Sequence, residues 1–210
     1  MWGARRGMWG IGLLLFTGCA TVELREPRAV SGRVTDATGQ PVAGSPVILI
    51  GRRLELSVPG MAYVERGRRE VRGVTDADGR YRFEFDPAML GNDFTLFFHG
   101  EQTFDRVRFA QPAPLNITDR LVNLREVVVS VVLHFHPGWP EVQRQMAYYG
   151  PESDRGKILR RHGLPQKRES SPAGEGSLEI WWYPEHGVSY SFDGDRLVRT
   201  HDFPPVRDRR

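Results

Sequence analysis

Apolar and polar residues alternate over several short stretches in the first two thirds of the chain. The clearest alternation covers six consecutive residues, in the order Arg80, Tyr81, Arg82, Phe83, Glu84 and Phe85. A period of two predicts a β-strand with one buried face and one exposed face. Alternation or β-branched runs predict further strands at residues 30–35, 47–50, 71–75, 94–98 and 104–109.

Turn-forming residues separate these predicted strands. Asp, Gly and Pro are concentrated at residues 36–41 and 76–79, and the stretch between residues 50 and 71 is predicted as a loop. Residues 124–133 are apolar on both faces for part of their length, which predicts a central strand. About seven short strands without a helical period over residues 29–136 predict an antiparallel two-sheet β-sandwich.

Helical and strand patterns follow each other in the last third of the chain. Residues 141–149 have apolar side chains at helical spacing, and Ser153 and Asp154 are suited to begin a second helix that Gly163 ends. Three antiparallel strands are then predicted, at residues 178–183, 188–192 and 197–201. Hairpin turns at residues 185–187 and 193–195 join them. This succession predicts a small α+β domain.

The N-terminus has the pattern of a targeting segment. Arg5 and Arg6 precede an apolar run, Met8–Phe16, which is shorter than the roughly 20 residues that span a bilayer. The run leads through Leu15–Gly18 into Cys19, the one cysteine of the chain. This segment resembles the bacterial lipobox, in which small residues precede a cysteine that is acylated after cleavage. The alternative is an ordinary secretory signal that happens to contain a cysteine.

The lipobox resemblance implies a signal peptide at residues 1–18 and a lipid anchor at Cys19. Several acyl chains hold an otherwise soluble domain firmly at a membrane. Ala20 follows the cysteine, where some proteobacterial lipoproteins of the inner membrane have Asp. The resemblance therefore implies the outer membrane, on the side facing the periplasm.

Composition and charge narrow the classes of partner. The chain has 210 residues and one cysteine, which excludes an intramolecular disulfide framework and a cysteine-based zinc cluster. Loss of residues 1–18 removes Arg5 and Arg6 from 29 basic residues, which leaves 27 against 26 acidic ones. A nearly neutral protein lacks the basic field of a nucleic-acid-binding face, so no nucleic-acid partner is predicted.

Six arginines are nevertheless concentrated in one stretch: Arg52, Arg53, Arg66, Arg68, Arg69 and Arg72. Such a group can contact phosphate or lipid headgroups. It can also be a solvated strand face, which is the more common case.

Two blocks of sequence resemble the carboxypeptidase-regulatory-like domain. The first runs over residues 32–36 and 39–47, and the second over residues 75–83. This resemblance covers about half of the chain and implies a transthyretin-like β-sandwich that serves as a non-catalytic accessory module. Related transthyretin-like hydrolases require a His and Arg arrangement and a Tyr-Arg-Gly-Ser ending, which is absent here, so no catalytic residue is predicted.

A second resemblance covers residues 150–203. Residues 155–159, 162–165, 181–184 and 192–197 resemble the small domain of outer-membrane lipoproteins such as the accessory lipoprotein of the β-barrel assembly machinery. The resemblance implies the fold of this segment and no particular function, because the fold serves many periplasmic proteins.

Few side chains suggest metal or cofactor chemistry. His134 and His136 share one side of a predicted strand, and His99 on another strand would give a third nitrogen donor for Zn or Cu. Histidines at a strand end are the more common explanation, so no metal or cofactor is predicted. Residues 193–195, Asp-Gly-Asp, lack the other ligands of a calcium loop and are predicted as a hairpin turn.

Aromatic residues are concentrated in the second half. Trp181, Trp182 and Tyr183 are predicted as possible partner-binding residues, because an exposed Trp181 and Tyr183 would form a stacking surface for a sugar or a partner protein. Strand alternation places Trp181 and Trp182 on opposite faces, so they cannot both belong to one core. The alternative to an exposed surface is that the helices or the first domain cover the face that carries Trp181 and Tyr183.

The predicted organisation has six segments: a signal peptide (1–18), a tether (19–28), a β-sandwich (29–136), a linker with a short helix (137–152), an α+β domain (153–203) and a disordered tail (204–210). The predicted function is that of a lipid-anchored, non-catalytic structural or protein-binding module at the outer membrane. The alternatives are a carbohydrate-binding or surface-adhesion lipoprotein, and a transthyretin-like hydrolase that uses His99 or His134.

Overall fold

The computed structural model describes residues 26–58, 60–100, 103–173 and 176–206. The described part of the chain is mainly β, with 46% of the described residues in strands and 19% in helices, and several of its sheets are antiparallel. Cys19, the signal peptide and most of the tether lie outside the described residues. None of the helices in the described ranges has the length and apolar content of a membrane span.

The N-terminal part of the described chain forms two four-stranded sheets. Its elements are β1 (Arg28–Asp36), β2 (Pro46–Ser57), β3 (Ala62–Val74), β4 (Arg80–Phe85), α1 (Pro87–Leu90), β5 (Asp93–Phe97), β6 (Leu115–Asn116), α2 (Thr118–Asn123), β7 (Glu126–Val128) and β8 (Val131–Leu133). One sheet has the order β4-β1-β7, with β8 also paired to β1, and the other has the order β3-β2-β5-β6. Side chains from both sheets form one hydrophobic core.

Strand β4 shows why alternation predicts this part of the fold. Tyr81, Phe83 and Phe85 are buried in the core, while the charged residues between them are exposed. The strand pairs antiparallel with β1, so the aromatic row packs beside Val30 and Val34. The predicted strand at residues 80–85 is therefore confirmed.

The two predicted Asp-Gly turns are also present, and each is closed by an aspartate side chain. Asp76 Oδ1 accepts hydrogen bonds from the backbone N–H of Asp78 at 2.9 Å and of Arg80 at 2.7 Å. Gly79 has a φ of 73°, in the left-handed region that glycine adopts without strain. These bonds are local, which explains why residue type alone predicts the turn.

Asp36 closes the equivalent turn from a buried position. Its carboxylate accepts hydrogen bonds from Thr38 and from the backbone N–H of Gln40, and Arg108 Nη2 lies 2.9 Å from its second oxygen. Burial raises the pKa of Asp36, but these hydrogen bonds and the charge of Arg108 outweigh burial and hold the pKa below its ordinary value. The ion pair between Arg108 and Asp36 links the segment before β6 to the end of β1.

Two predicted strands of this half are wrong in detail. Residues 124–133 form β7 and β8, which are short, parallel to β1 and separated by Val129 and Ser130, instead of one central antiparallel strand. Ser130 Oγ accepts a hydrogen bond from the backbone of β1 between the two strands. Residues 104–108 form bends and turns instead of a strand, and Phe109 forms an isolated antiparallel bridge with Phe135. Phe104 and Phe109 both lie in the core.

The C-terminal part contains two helices followed by an antiparallel sheet. Its elements are α3 (Trp139–Tyr149), α4 (Asp154–His162), β9 (Lys167–Ala173), β10 (Gly176–Tyr183), β11 (Val188–Asp193) and β12 (Arg196–Asp202). The sheet order is β12-β11-β10-β9, so a fourth strand, β9, joins the three that were predicted. Ser153 begins α4 as predicted, since its Oγ accepts a hydrogen bond from the backbone N–H of Gly156 at 3.0 Å.

This C-terminal part has its own hydrophobic core. Val142 of α3 and Ile158 and Leu159 of α4 pack against the aromatic face of the sheet. Val107, from the first part of the chain, also packs against this core. Residues 204–206, predicted to belong to a tail, continue past β12, and Val206 donates its backbone N–H to the carbonyl of Pro184 at 2.9 Å.

Candidate interaction surface

The longest described strand, β3, is exposed over most of its length and pairs with β2 in a hairpin. The two strands pair from Pro46 opposite Val74 to Ser57 opposite Ala62. The first half of β2 contributes Val47 and Leu49 to the core, but β3 is exposed along most of its 13 residues. β3 is also the edge strand of its sheet. Its exposed residues show that the outer part of the hairpin lies beyond the hydrophobic core.

Strand register brings the six clustered arginines of residues 52–72 together on this hairpin. Arg52 lies opposite Arg68, and Arg69 lies opposite Gly51, so the arginines occupy both faces of the hairpin. Three of the six form ion pairs, which are Arg52–Asp93 at 2.6 Å, Arg66–Glu55 at 3.4 Å and Arg72–Glu70 at 2.7 Å. Within the described ranges, neither Arg68 nor Arg69 forms an ion pair with a carboxylate.

A basic pocket lies where one face of the hairpin passes helix α1. It has a volume of about 470 Å³ and is lined by arginines from both strands and by the helix, namely Arg53, Arg66, Arg68, Arg69, Ala88, Met89 and Leu90. Arg53 Nη2 donates a hydrogen bond to the carbonyl of Ala88 at 2.8 Å, so one wall of the pocket is fixed in place. Arg66, Arg68 and Arg69 are exposed.

The tip of the hairpin is apolar and exposed. Leu56 is 53% exposed, Val58 81%, Met61 85% and Tyr63 65%. Scattered apolar residues are normal on a surface, but a group of large ones at one projecting end is not. Met61 also has a φ of 49°, the one positive φ of a non-glycine residue in the described chain.

The predicted aromatic surface on β10 is only partly present. Trp181 and Tyr183 are buried, with 0% and 1% exposure, so of the two alternatives the covered face is the one present and they form no exposed stacking surface. The helices α3 and α4 cover their face of the sheet. Trp182 lies on the other face, is partly exposed, and donates from Nε1 to Glu169 Oε2 at 2.9 Å. Its ring centroid is 5.8 Å from that of Phe203.

Arg155, in the first turn of α4, is buried against aromatic side chains of the C-terminal core. Arg155 Nη1 donates to Glu179 Oε2 at 2.5 Å, and Nη2 donates to the carbonyl of Gly194 at 2.7 Å. The guanidinium also lies 5.0 Å from the ring centroid of Trp181 and 4.3 Å from that of Phe192. Burial raises the pKa of Glu179, but hydrogen bonds from Trp181 and Arg155 outweigh burial and lower the pKa.

The histidines and the Asp-Gly-Asp segment are not assembled as a metal centre. Within the described ranges, no three His, Cys, Asp or Glu residues are close enough together to hold a metal ion. His99 contacts Gln111, with 3.2 Å between the two side-chain nitrogens, and His134 and His136 are exposed. Residues 193–195 form the predicted hairpin turn between β11 and β12.

Comparison with known proteins places the chain in no family. No protein family model and no curated protein sequence matches it. Among solved structures, it is similar to the C-terminal domain of the shaft pilin SpaA from Lactobacillus rhamnosus GG, with a TM-score of 0.33 and 11% identity over 53% of this chain and 100% of that chain. It is also similar to catechol 1,2-dioxygenase from Pseudomonas arvilla C-1, with a TM-score of 0.31 and 18% identity over 53% of each chain. Both likenesses are weak, and neither bears on function.

A histidine cluster lies at the end of α4, where the sequence predicted no titratable site. His162 Nε2 is 2.9 Å from the Tyr190 hydroxyl oxygen, and the ring centroid of His186 is 4.9 Å from that of His162. Burial, and then the nearby positive charges of His186 and Arg161, lower the pKa of His162 to about 4. His162 is therefore neutral in the folded protein at neutral pH.

This cluster makes stability depend on pH. The unfolded chain binds a proton at His162 near pH 6.5, but the folded chain does so only near pH 4, so acid favours unfolding between these values. After allowance for solvent screening, we expect the free energy of unfolding to fall by about 1 to 2 kcal/mol from pH 7 to pH 5. Urea unfolding followed by tryptophan fluorescence at both pH values measures the change.

The control separates His162 from the other titrating groups. His162→Gln keeps a hydrogen-bond acceptor for Tyr190 and should remove most of this pH dependence. His201→Gln, at an exposed position on β12, should leave it unchanged. Equal pH dependence in wild type and His162→Gln would contradict the assignment.

Proposed function

We propose that the protein is a lipid-anchored, non-catalytic module of the cell envelope that binds another envelope protein through the edge of β3. The observation that carries the proposal is the exposure of this edge strand over most of its 13 residues. An open strand edge presents backbone N–H and C=O groups that a strand of a partner can pair with. The resemblance of the N-terminus to a lipobox supports the anchor at Cys19.

The charge of the edge indicates the chemistry of the partner. Arg66, Arg68, Arg69 and Arg72 lie along β3, against Glu65 and Glu70. Like charges on adjacent strands are destabilising, so a second copy of the same edge is repelled. A partner strand that carries carboxylates gains both backbone hydrogen bonds and charge complementarity.

The position of the anchor fits a site of action close to the membrane. Nine residue steps separate Cys19 from Arg28, where β1 begins. Fully extended, a tether of this length reaches about 30 Å. An acylated Cys19 therefore keeps the folded part of the protein next to the membrane surface, where an envelope partner would meet it.

Photo-crosslinking in the native host tests this proposal. A photoreactive residue at Glu70 of β3 should give a discrete protein adduct, while one at Arg199 of β12, exposed on the other part of the chain, should give none. Arg68→Glu with Arg72→Glu should reduce the adduct at least about fivefold, because two attractive charges become repulsive. Cys19→Ala should release the protein from the membrane fraction, and mass spectrometry should show an acylated Cys19 in the wild type.

Two outcomes would contradict the proposal. An unmodified Cys19 would make the protein soluble and secreted, and equal adducts from the β3 and β12 positions would remove the role of the edge strand.

Carbohydrate binding is the second candidate function, and the partly exposed Trp182 beside Phe203 favours it. Flat binding isotherms with peptidoglycan and polysaccharide fragments would exclude this candidate.

A further inference from the structure

We propose that the tip of the β2–β3 hairpin inserts into the surface of an anionic lipid bilayer, with the arginines of the hairpin bound to lipid phosphates. This inference goes beyond the proposed function. It concerns the tip and not the edge of β3, and it holds whether or not a protein partner exists.

The apolar tip supplies the part that enters the acyl region. Leu56 and Tyr63 lie opposite each other in the strand register, and Val58 and Met61 lie beyond them in the turn. All four are more than half exposed. Transfer of such side chains out of water is favourable, and Tyr is suited to the boundary between apolar and polar layers.

The backbone of the turn keeps an apolar side chain outermost at some cost. Met61 has a φ of 49°, in the left-handed region that residues other than Gly, Asn and Asp rarely adopt. It follows directly after Gly60, and it is the most exposed large apolar residue of the described chain, at 85%. Backbone strain that leaves a large apolar residue in water points to a functional role for that residue.

The spacing between the tip and the arginines matches the layers of a bilayer. At about 3.3 Å per residue, Arg66 lies roughly 16 Å behind Met61 along β3. An apolar tip enters about 5 to 10 Å below the headgroup boundary, and the headgroup layer above that boundary is about 5 to 7 Å thick. The roughly 16 Å between Met61 and Arg66 therefore places Arg66 among the headgroups when the tip is inserted. Arg68 and Arg69 follow directly and can extend their side chains toward the same layer.

The distribution of charge favours a bilayer over a protein groove. Arg68 lies on one face of the hairpin and Arg69 on the other, and within the described ranges neither forms an ion pair with a carboxylate, whereas Arg52 is paired with Asp93. A headgroup layer surrounds an inserted hairpin and can pair with both faces, whereas a groove contacts mainly one.

The acidic residues of the hairpin leave it positively charged. Residues 52–72 contain six arginines and three glutamates, which are Glu55, Glu65 and Glu70. Glu55 is paired with Arg66 and Glu70 with Arg72. The remaining positive charge is attracted to anionic lipids, with a contribution from each arginine near the surface.

Vesicle binding tests the proposal directly. Residues 19–210 are prepared with Cys19→Ala, so that neither an acyl chain nor the apolar run Met8–Phe16 contributes, and mixed with vesicles of phosphatidylcholine with or without about one third phosphatidylglycerol. We expect at least about tenfold stronger binding to the anionic vesicles. Val58→Ser with Met61→Ser should weaken binding about tenfold or more, and Arg68→Gln with Arg69→Gln about twentyfold.

Matched controls come from β12. Val198 is 50% exposed, and Val198→Ser and Arg199→Gln should bind the vesicles as the parent chain does. Circular dichroism establishes that each variant is folded. Equal binding to neutral and anionic vesicles, or unchanged binding of the tip variant, would overturn the proposal.

A labelling experiment reports insertion even when binding is weak. Cys19→Ala leaves the chain without cysteine, so Met61→Cys can be labelled alone with a polarity-sensitive dye. Emission should shift to the blue on addition of anionic vesicles, while the same dye at Val198→Cys should not respond. A dye at position 61 that stays in water would overturn the proposal, and this result leaves the crosslinking test of the β3 edge unaffected.

Discussion

Replacement of Arg155 by Met should destabilise the C-terminal part of the chain by about 3 kcal/mol. The side chain of Arg155 is 5% exposed and forms a 2.5 Å bond to Glu179, which itself is 26% exposed. Loss of one partner of a buried ion pair leaves the other charge without compensation, which costs several kcal/mol. The carbonyl of Gly194 also loses its donor. Urea unfolding followed by tryptophan fluorescence measures the loss.

A second substitution shows that the uncompensated charge is the cause. Glu179→Gln removes that charge and keeps an acceptor for Trp181 Nε1, which donates to Glu179 Oε1 at 2.8 Å. The double variant Arg155→Met with Glu179→Gln should therefore recover about 1 kcal/mol or more of the loss. Arg160→Met, on the same helix and 54% exposed, should change stability by less than about 0.5 kcal/mol. A loss of stability below about 0.5 kcal/mol in Arg155→Met would contradict a structural role for the Arg155–Glu179 ion pair.

The substitution Gly32→Ala should destabilise the N-terminal part by about 3 kcal/mol. A Cβ atom at Gly32 would lie 1.7 Å from the carbonyl oxygen of Val129 and 3.0 Å from the hydroxyl oxygen of Tyr81. That hydroxyl donates to the same Val129 carbonyl at 2.7 Å, so neither group can move without loss of a buried hydrogen bond. Overpacking against the backbone is costly because the adjacent strands β7 and β8 must shift.

Gly67→Ala is the matched control. No atom lies within 4 Å of the Cβ position at Gly67, and the residue is in β3. It should change stability by less than about 0.5 kcal/mol. Urea unfolding curves of the two alanine variants and the wild type measure both effects. Equal stability of Gly32→Ala and wild type would show that β7 and β8 are not held against β1 in this way.

The Gly32→Ala effect bears on function because the hairpin depends on the core of the N-terminal part. Strand β2 contributes Val47 and Leu49 to the core, and the same strand continues outward to the exposed tip. A destabilised core therefore loosens the base of the hairpin. Membrane binding of Gly32→Ala should be compared at a temperature where the variant is still folded, so that a loss of fold is not taken for a loss of the site.

The interaction surface was hardly predicted from the sequence, although its arginines were. The hairpin arms at residues 51–57 and 62–70 were predicted as loop. Residues 62–70 show no alternation of apolar and polar residues, because almost all of them meet solvent. Residues 53–58 do alternate, and this alternation and the large apolar residues on either side of Pro59 and Gly60 were the available signals. Only pairing of β2 with β3 brings Arg52 opposite Arg68.

Local signals determined much of the fold. Strands with one buried face, such as β4 and β5, and the helix begun by Ser153 follow from residue type and period, since each requires only neighbours in the chain. The tertiary structure alone decided that β7 and β8 run parallel to β1, that Arg155 joins a core, and that Trp181 faces the helices while Trp182 does not. Alternation places two adjacent side chains on opposite faces, but which face is buried depends on what packs there, and that is set by residues distant in the sequence.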